Sequence, residues 1–187
     1  MQALLEAWEA GDLPATPAAV IHNREQALGR DIARSYGVRT EWIPWRDPNA
    51  AEDQVLTLAK ETGAAFIVLA GFMRVITQTL IDAFPNRIIN IHPSLLPAFP
   101  GLHAQQQALD YGVKVSGCTT HFVQAGVDTG PVILQRTVDV KADDTEDSLS
   151  ARILEQEHEL IVETVRLMAQ DRLRVDGRQV HICLEDG

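Results

Sequence analysis

The stretch INIHPSLLPAFPG, residues 89–101, ends an apolar run with Asn90 and His92 and continues into a loop carrying Pro93, Pro97 and Pro100. On a strand the period of two sends both polar side chains to one face. An amide N–H beside an imidazole is a pair suited to a developing oxyanion, with the histidine as general acid. The prolines restrict the following backbone, which lowers the entropy lost in holding such groups still. A Pro-rich surface loop with an incidental histidine accounts for the same letters equally well. A second group lies at 121–131, HFVQAGVDTGP, where His121 falls on a strand and Asp128 in a glycine-bounded turn. An aspartate beside a histidine favours the imidazolium and fixes the ring. An aspartate in such a turn is also an ordinary turn former, and spacing alone does not bring the two groups together.

The elements that must position these residues alternate short apolar runs with helical patterns, which reads as α/β with a mostly parallel sheet flanked by helices. Residues 2–11 form a helix ended by Gly11, 18–23 a strand, 24–37 a helix closed by Gly37, and 38–44 a strand. A helix over 50–63 leads into AAFIVLAG, 64–71, whose unbroken apolar character suits a strand covered on both faces. Thr77 is placed to cap the helix over 78–84, and the strand 87–92 follows. A helix over 103–112, an antiparallel strand pair around AGVDTG, a long helix from 145 capped by Asp144 or Thr145, and a hairpin with Asp-Gly at its turn complete the chain. Ligands of open parallel sheets lie beyond the carboxyl ends of the strands, where Asn90 and His92 sit.

The 187 residues, 45% hydrophobic and 22% charged, suit one domain spanning 1–187. No stretch resembles a signal peptide or a membrane span, so a cytoplasmic protein without membrane association is expected. Cys118 and Cys183 lack metal-site spacing and read as reduced thiols. A net charge of -10 without a basic stripe disfavours nucleic acid and leaves small molecules as the expected partners. Oligomeric state is left between monomer and homodimer. His92, His103 and His121 also admit a three-histidine zinc site.

VLAGFMRVI, INIHPSLLPAFPGLHA, VSGCTTHFV and GVDTGPVILQ together resemble the phosphoribosylglycinamide formyltransferase family, from about Gln2 to near Glu157. The Asn-x-His-Pro-Ser-Leu-Leu-Pro segment marks the wider Rossmann-like formyltransferase fold, and Phe-Met-Arg with Pro-Gly-Leu-His points to the glycinamide branch. The resemblance implies transfer of a formyl group from 10-formyltetrahydrofolate to the amine of glycinamide ribonucleotide in purine biosynthesis, without metal. It implies that Asn90 and His92 stabilise the tetrahedral intermediate with Asp128 assisting. Folate contacts would come from Met73, Arg74, Val75, Ile76 and Asn90, and from Gln124, Ala125, Gly126, Val127 and Asp128. Glu157 would contact the ribonucleotide, and His103 and His121 would support the site. The same resemblance extends to formyltetrahydrofolate hydrolases and to methionyl-tRNA formyltransferases, and a folate-binding fragment without activity is a further reading.

The sequence departs from that family at its front. Members begin with a strand and a Gly-Ser-Gly-Ser-Asn-type loop that holds the phosphate, whereas none of the twelve glycines here occurs as Gly-x-Gly. The domain is therefore expected to be N-terminally incomplete relative to the family. Leu154 stands where a glutamine is common, and Arg46 serves a folate-contacting arginine position only if the alignment takes a gap.

Overall fold

The computed structural model describes residues 1–183. The chain runs α1 (Gln2–Glu9), β1 (Val20–His22), α2 (Leu28–Ser35), β2 (Thr40–Trp42), α3 (Pro48–Thr62), β3 (Ile67–Leu69) and α4 (Gln78–Ala83). It continues with β4 (Ile88–His92), α5 (Ala104–Tyr111), β5 (Val115–Phe122), β6 (Val132–Asp139), α6 (Glu146–Ala169), β7 (Leu173–Asp176) and β8 (Gln179–Ile182). β1 and β2 pair in parallel as one sheet, and a second sheet has the order β3-β4-β5-β6. Within it β3 runs parallel to β4, while β4 and β5, and β5 and β6, are antiparallel. This is the α/β architecture expected of the sequence, with parallel pairing in the first half, then the antiparallel pair, the long helix and the β7-β8 hairpin.

Local chemistry sets the element ends. Asp47 caps α3 by accepting from the backbone N–H of Asn49 and Ala50, Pro48 follows at the first helical position, and Gly63 closes the helix at φ 68°. Thr77 caps α4 through the N–H of Thr79. Thr145 and Ser148 form a reciprocal cap at the start of α6, and Asp144 accepts from the Ser148 hydroxyl and from Arg152. Of the two capping candidates, Thr145 is the cap.

Two expectations are corrected. The helix placed over 24–37 is confined to Leu28–Ser35, because the His22 ring nitrogen Nδ1 lies 2.8 Å from the Arg24 carbonyl and the backbone turns there before Ala27. The run 64–71 yields only a three-residue strand, Ile67–Leu69, and each of its residues is half-buried rather than covered on both faces. β3 ends its sheet, paired on one side by β4 alone.

The core lies between α6 and the sheet. On β5, Cys118, Thr120 and Phe122 face α6: Cys118 packs with Leu149, Ile153 and Leu160, Phe122 with Ile161 and Val165, and Thr120 meets the Thr164 hydroxyl at 2.8 Å. The opposite face of β5 carries Thr119 and His121, as the period of two requires. A second cluster of Val55, Ile76, Leu80 and Ile88 joins α3 and α4 to β4. Cys118 is buried and Cys183 exposed, both as free thiols, and no helix among the described residues is long and apolar enough to cross a membrane.

Candidate active site

Register brings the first polar group together. In the antiparallel β4-β5 ladder Asn90 lies opposite His121 and His92 opposite Thr119, so the four side chains share one face. Ile88 and Ile89 on β4 are fully buried and fix that strand in the core. Asp128 reaches the same face from the turn after β5, where it adopts φ 53°, a left-handed conformation that aspartate tolerates better than most residues.

The contacts form one network around the Asp128 carboxylate. Its Oδ2 accepts the Gly101 backbone N–H at 2.8 Å and lies 3.2 Å from His92 Nδ1. Its Oδ1 lies 3.6 Å from His121 Nε2. Asn90 Nδ2 is 3.2 Å from the same His121 nitrogen. His121 Nδ1 is 2.9 Å from the Phe122 carbonyl, which requires a proton on Nδ1. His92 Nε2 is 2.8 Å from the Phe99 carbonyl and so donates there. With a carbonyl at one ring nitrogen and a carboxylate at the other, the doubly protonated ring is the form of His92 that satisfies both acceptors. All three side chains are nearly enclosed, His92 at 6%, His121 at 3% and Asp128 at 11% exposure. Burial alone pushes the Asp128 carboxyl up, but the pairing with His121, the Gly101 N–H and the charges of both histidines outweigh it, so the net displacement is downward.

The proline loop is stitched to the sheet. Thr119 Oγ1 donates to the Ser94 carbonyl at 2.6 Å and accepts the Leu96 N–H at 3.0 Å, while Gln135 Nε2 donates to the Leu96 carbonyl at 2.9 Å. The Ser94 hydroxyl donates to the Ala98 carbonyl at 2.5 Å. These bonds set the Phe99 carbonyl against His92. Sequence reasoning missed Phe99, Gly101, Thr119 and Gln135. Thr119 alone had a signal, since it shares the strand face of His121; the others act through backbone atoms or from a neighbouring strand.

The remaining expected residues divide. Met73 and Val75 are exposed at 69% and 70%, and Arg74 is exposed beside them, so this segment presents an apolar surface to solvent. Ile76 is 8% exposed and belongs to the core, which leaves only its backbone for a ligand. Gln124, Ala125, Gly126 and Val127 are exposed on the turn that carries Asp128. Glu157 sits on α6, where burial pushes its carboxyl up to about 7. His103 is 77% exposed and its ring lies 3.9 Å from Glu146, so the structure does not bring it into the Asp128 network. Among the described residues there is no group of three or more His, Cys, Asp or Glu side chains that could hold a metal.

Residues 1–165 match the formyl transferase family. The chain belongs to that family. Among its relatives, the phosphoribosylglycinamide formyltransferase of Escherichia coli is 38% identical over 178 residues, covering 94% of this chain and 84% of that protein. The trifunctional purine biosynthetic protein adenosine-3 of Drosophila melanogaster is 44% identical over 163 residues, 84% of this chain, and the chain spans only 12% of that much longer protein. The crystal structure of glycinamide ribonucleotide transformylase 1 from Symbiobacterium toebii superposes with a TM-score of 0.95 at 46% identity, covering 98% of this chain and 88% of the other. A formyltetrahydrofolate deformylase from Pseudomonas syringae superposes with a TM-score of 0.91 at 28% identity over 97% of this chain. The formyl transferase fold therefore carries the Asn90, His92 and Asp128 cluster at the carboxyl end of β4, where ligands of α/β sheets bind.

Proposed function

We infer that this formyl transferase moves the formyl group of 10-formyltetrahydrofolate to the amine of glycinamide ribonucleotide, a step of purine biosynthesis. The observation that carries the reading is the enclosed network of Asn90, His92, His121 and Asp128 in a chain whose relatives bear that activity in their names. In the proposed reaction the amine attacks the formyl carbon and a tetrahedral intermediate forms with a negative oxygen. The second N–H of the Asn90 amide is proposed to donate to that oxygen, and the His92 imidazolium, whose two N–H groups face Asp128 and the Phe99 carbonyl, stabilises it by its charge, both effects being worth more in an enclosed site than in water. The intermediate collapses with cleavage of the bond from the formyl carbon to the folate nitrogen. The proton lost by the amine passes by way of Asp128 and His92 to that leaving nitrogen, so no covalent enzyme intermediate is required.

Met73, Arg74, Val75 and the backbone of Ile76 are proposed to receive the folate from one side and the 124–128 turn from the other, with Glu157 reserved for the ribonucleotide. A second reading, hydrolysis of the formyl donor, draws on the likeness to the deformylase. The deciding experiment supplies 10-formyltetrahydrofolate with and without glycinamide ribonucleotide and follows tetrahydrofolate. Release only with the ribonucleotide supports transfer, release without it establishes hydrolysis, and binding without release reduces the chain to a folate-binding protein.

A further inference from the structure

The turn that carries Asp128 is held at its two ends in different ways. Gly130 packs so closely on β5 that a Cβ there would lie 1.7 Å from the Phe122 carbonyl, so only glycine brings the chain back into β6 at this point. The Asp128 carboxylate is held independently by Gly101, His92 and His121. In the exposed stretch from Gln124 to Val127 the Ala125 carbonyl accepts from the Thr129 hydroxyl at 2.9 Å, and Gly126 is flush against that Thr129 side chain, at φ 106°. Thr129 is itself gripped from outside. Arg178 Nη1, on the turn of the β7-β8 hairpin, donates to the Thr129 carbonyl at 3.1 Å.

The hairpin is a firm support for that grip. Leu173, Val175 and Val180 pack on the core that contains Phe122, Ile161 and Met168. The Cys183 N–H donates to the Arg172 carbonyl at 2.8 Å, closing the open end, and Gly177 takes the left-handed φ of 57° that the two-residue turn requires. Arg178, Thr129 and Ala125 thus form a series: core-anchored hairpin to turn, and turn to the segment expected to face the folate.

We propose that Arg178 is a positioning residue, through which the C-terminal hairpin holds the 124–130 turn in the shape that binds the formyl donor. The proposal rests on the folate reading of that turn. Because Asp128 keeps three other partners, loss of Arg178 acts on binding of the donor more than on the chemical step. The test compares the unsubstituted protein with Arg178→Ala, Arg178→Lys, Thr129→Val and the Arg178→Ala/Thr129→Val pair. Amide hydrogen exchange is followed in 123–131, and kcat and KM are measured for each substrate.

For Arg178→Ala we expect faster exchange confined to 123–131 and a KM for 10-formyltetrahydrofolate raised about fivefold, the worth of one hydrogen bond. The ribonucleotide KM and kcat should stay within about twofold, and Arg178→Lys, which keeps a charged donor, should recover most of the loss. The double substitution should cost no more than the larger single one, since the two bonds act in series. Unchanged exchange in 123–131 overturns the brace, and so does faster exchange with both KM values unchanged. The exchange arm uses no substrate, so failure of the formyl-transfer reading would show separately, in the assay of the unsubstituted protein.

Discussion

A carboxylate 11% exposed between two imidazoles is the feature on which the proposed chemistry turns. Burial disfavours its charge, and His121 heads the interactions that restore it. Asp128 titrates below the ordinary carboxylate range, so its ionised form extends to lower pH and the acid limb of kcat should fall below that range too. Removing His121 as His121→Phe leaves burial less opposed, which moves that limb to higher pH; a limb that stays in place in the kcat profile would show that His121 does not govern Asp128. His92→Ala removes the cationic donor and should lower kcat on the order of a hundredfold while the folate still binds, as for a general acid. Unchanged turnover would take His92 out of the mechanism. The sequence made Asn90 and His92 legible because two residues of one strand share a face by geometry alone. It left open whether Asp128 meets them, since that contact depends on the β4-β5 register and a left-handed turn residue.

Among the elements, α3 and α4 show how a buried charge fixes a surface segment. Glu52 on α3 is completely buried, accepts the Thr77 backbone N–H at 2.6 Å and also the Thr77 hydroxyl. It thereby holds the start of α4 and, with Ile76, the end of the 73–76 segment proposed to face the folate. Thr77→Val removes the cap of α4 and one of the two bonds to the Glu52 carboxylate, at a cost of about 1–3 kcal/mol. Urea unfolding should register that loss, and a change of only a few tenths would mean that the tie is not structural. Thr77 as a cap was readable from a threonine just ahead of an apolar helix. Glu52 was not, because its partner lies 25 residues along the chain and no local pattern announces it. The same limit explains β3: an apolar run states that burial is wanted, and only the sheet order states how many neighbours the strand has.

Across the whole molecule two carboxylates pull stability in opposite directions with pH. Asp128 is displaced downward, so it stabilises the fold above the ordinary carboxylate range and that contribution is lost as pH falls through its lower folded value. Glu157 is displaced upward, to about 7, chiefly by burial, which the charge of the N-terminal amino group opposes only in part. Below the unfolded value of about 4.5 it is neutral in both states and costs nothing. Between there and about 7 the unfolded chain has released a proton that the native chain still holds, so stability declines across this window and levels off above it. With part of the side chain open to solvent, the decline should be on the order of 1–2 kcal/mol, a few degrees in Tm. Glu157→Gln keeps the shape without the charge, so its Tm should match that of the unsubstituted protein near pH 4.5 and exceed it at pH 8. A Tm difference that is the same at both pH values would mean that the Glu157 carboxylate is solvated in the fold and that its burial does not set the pH dependence.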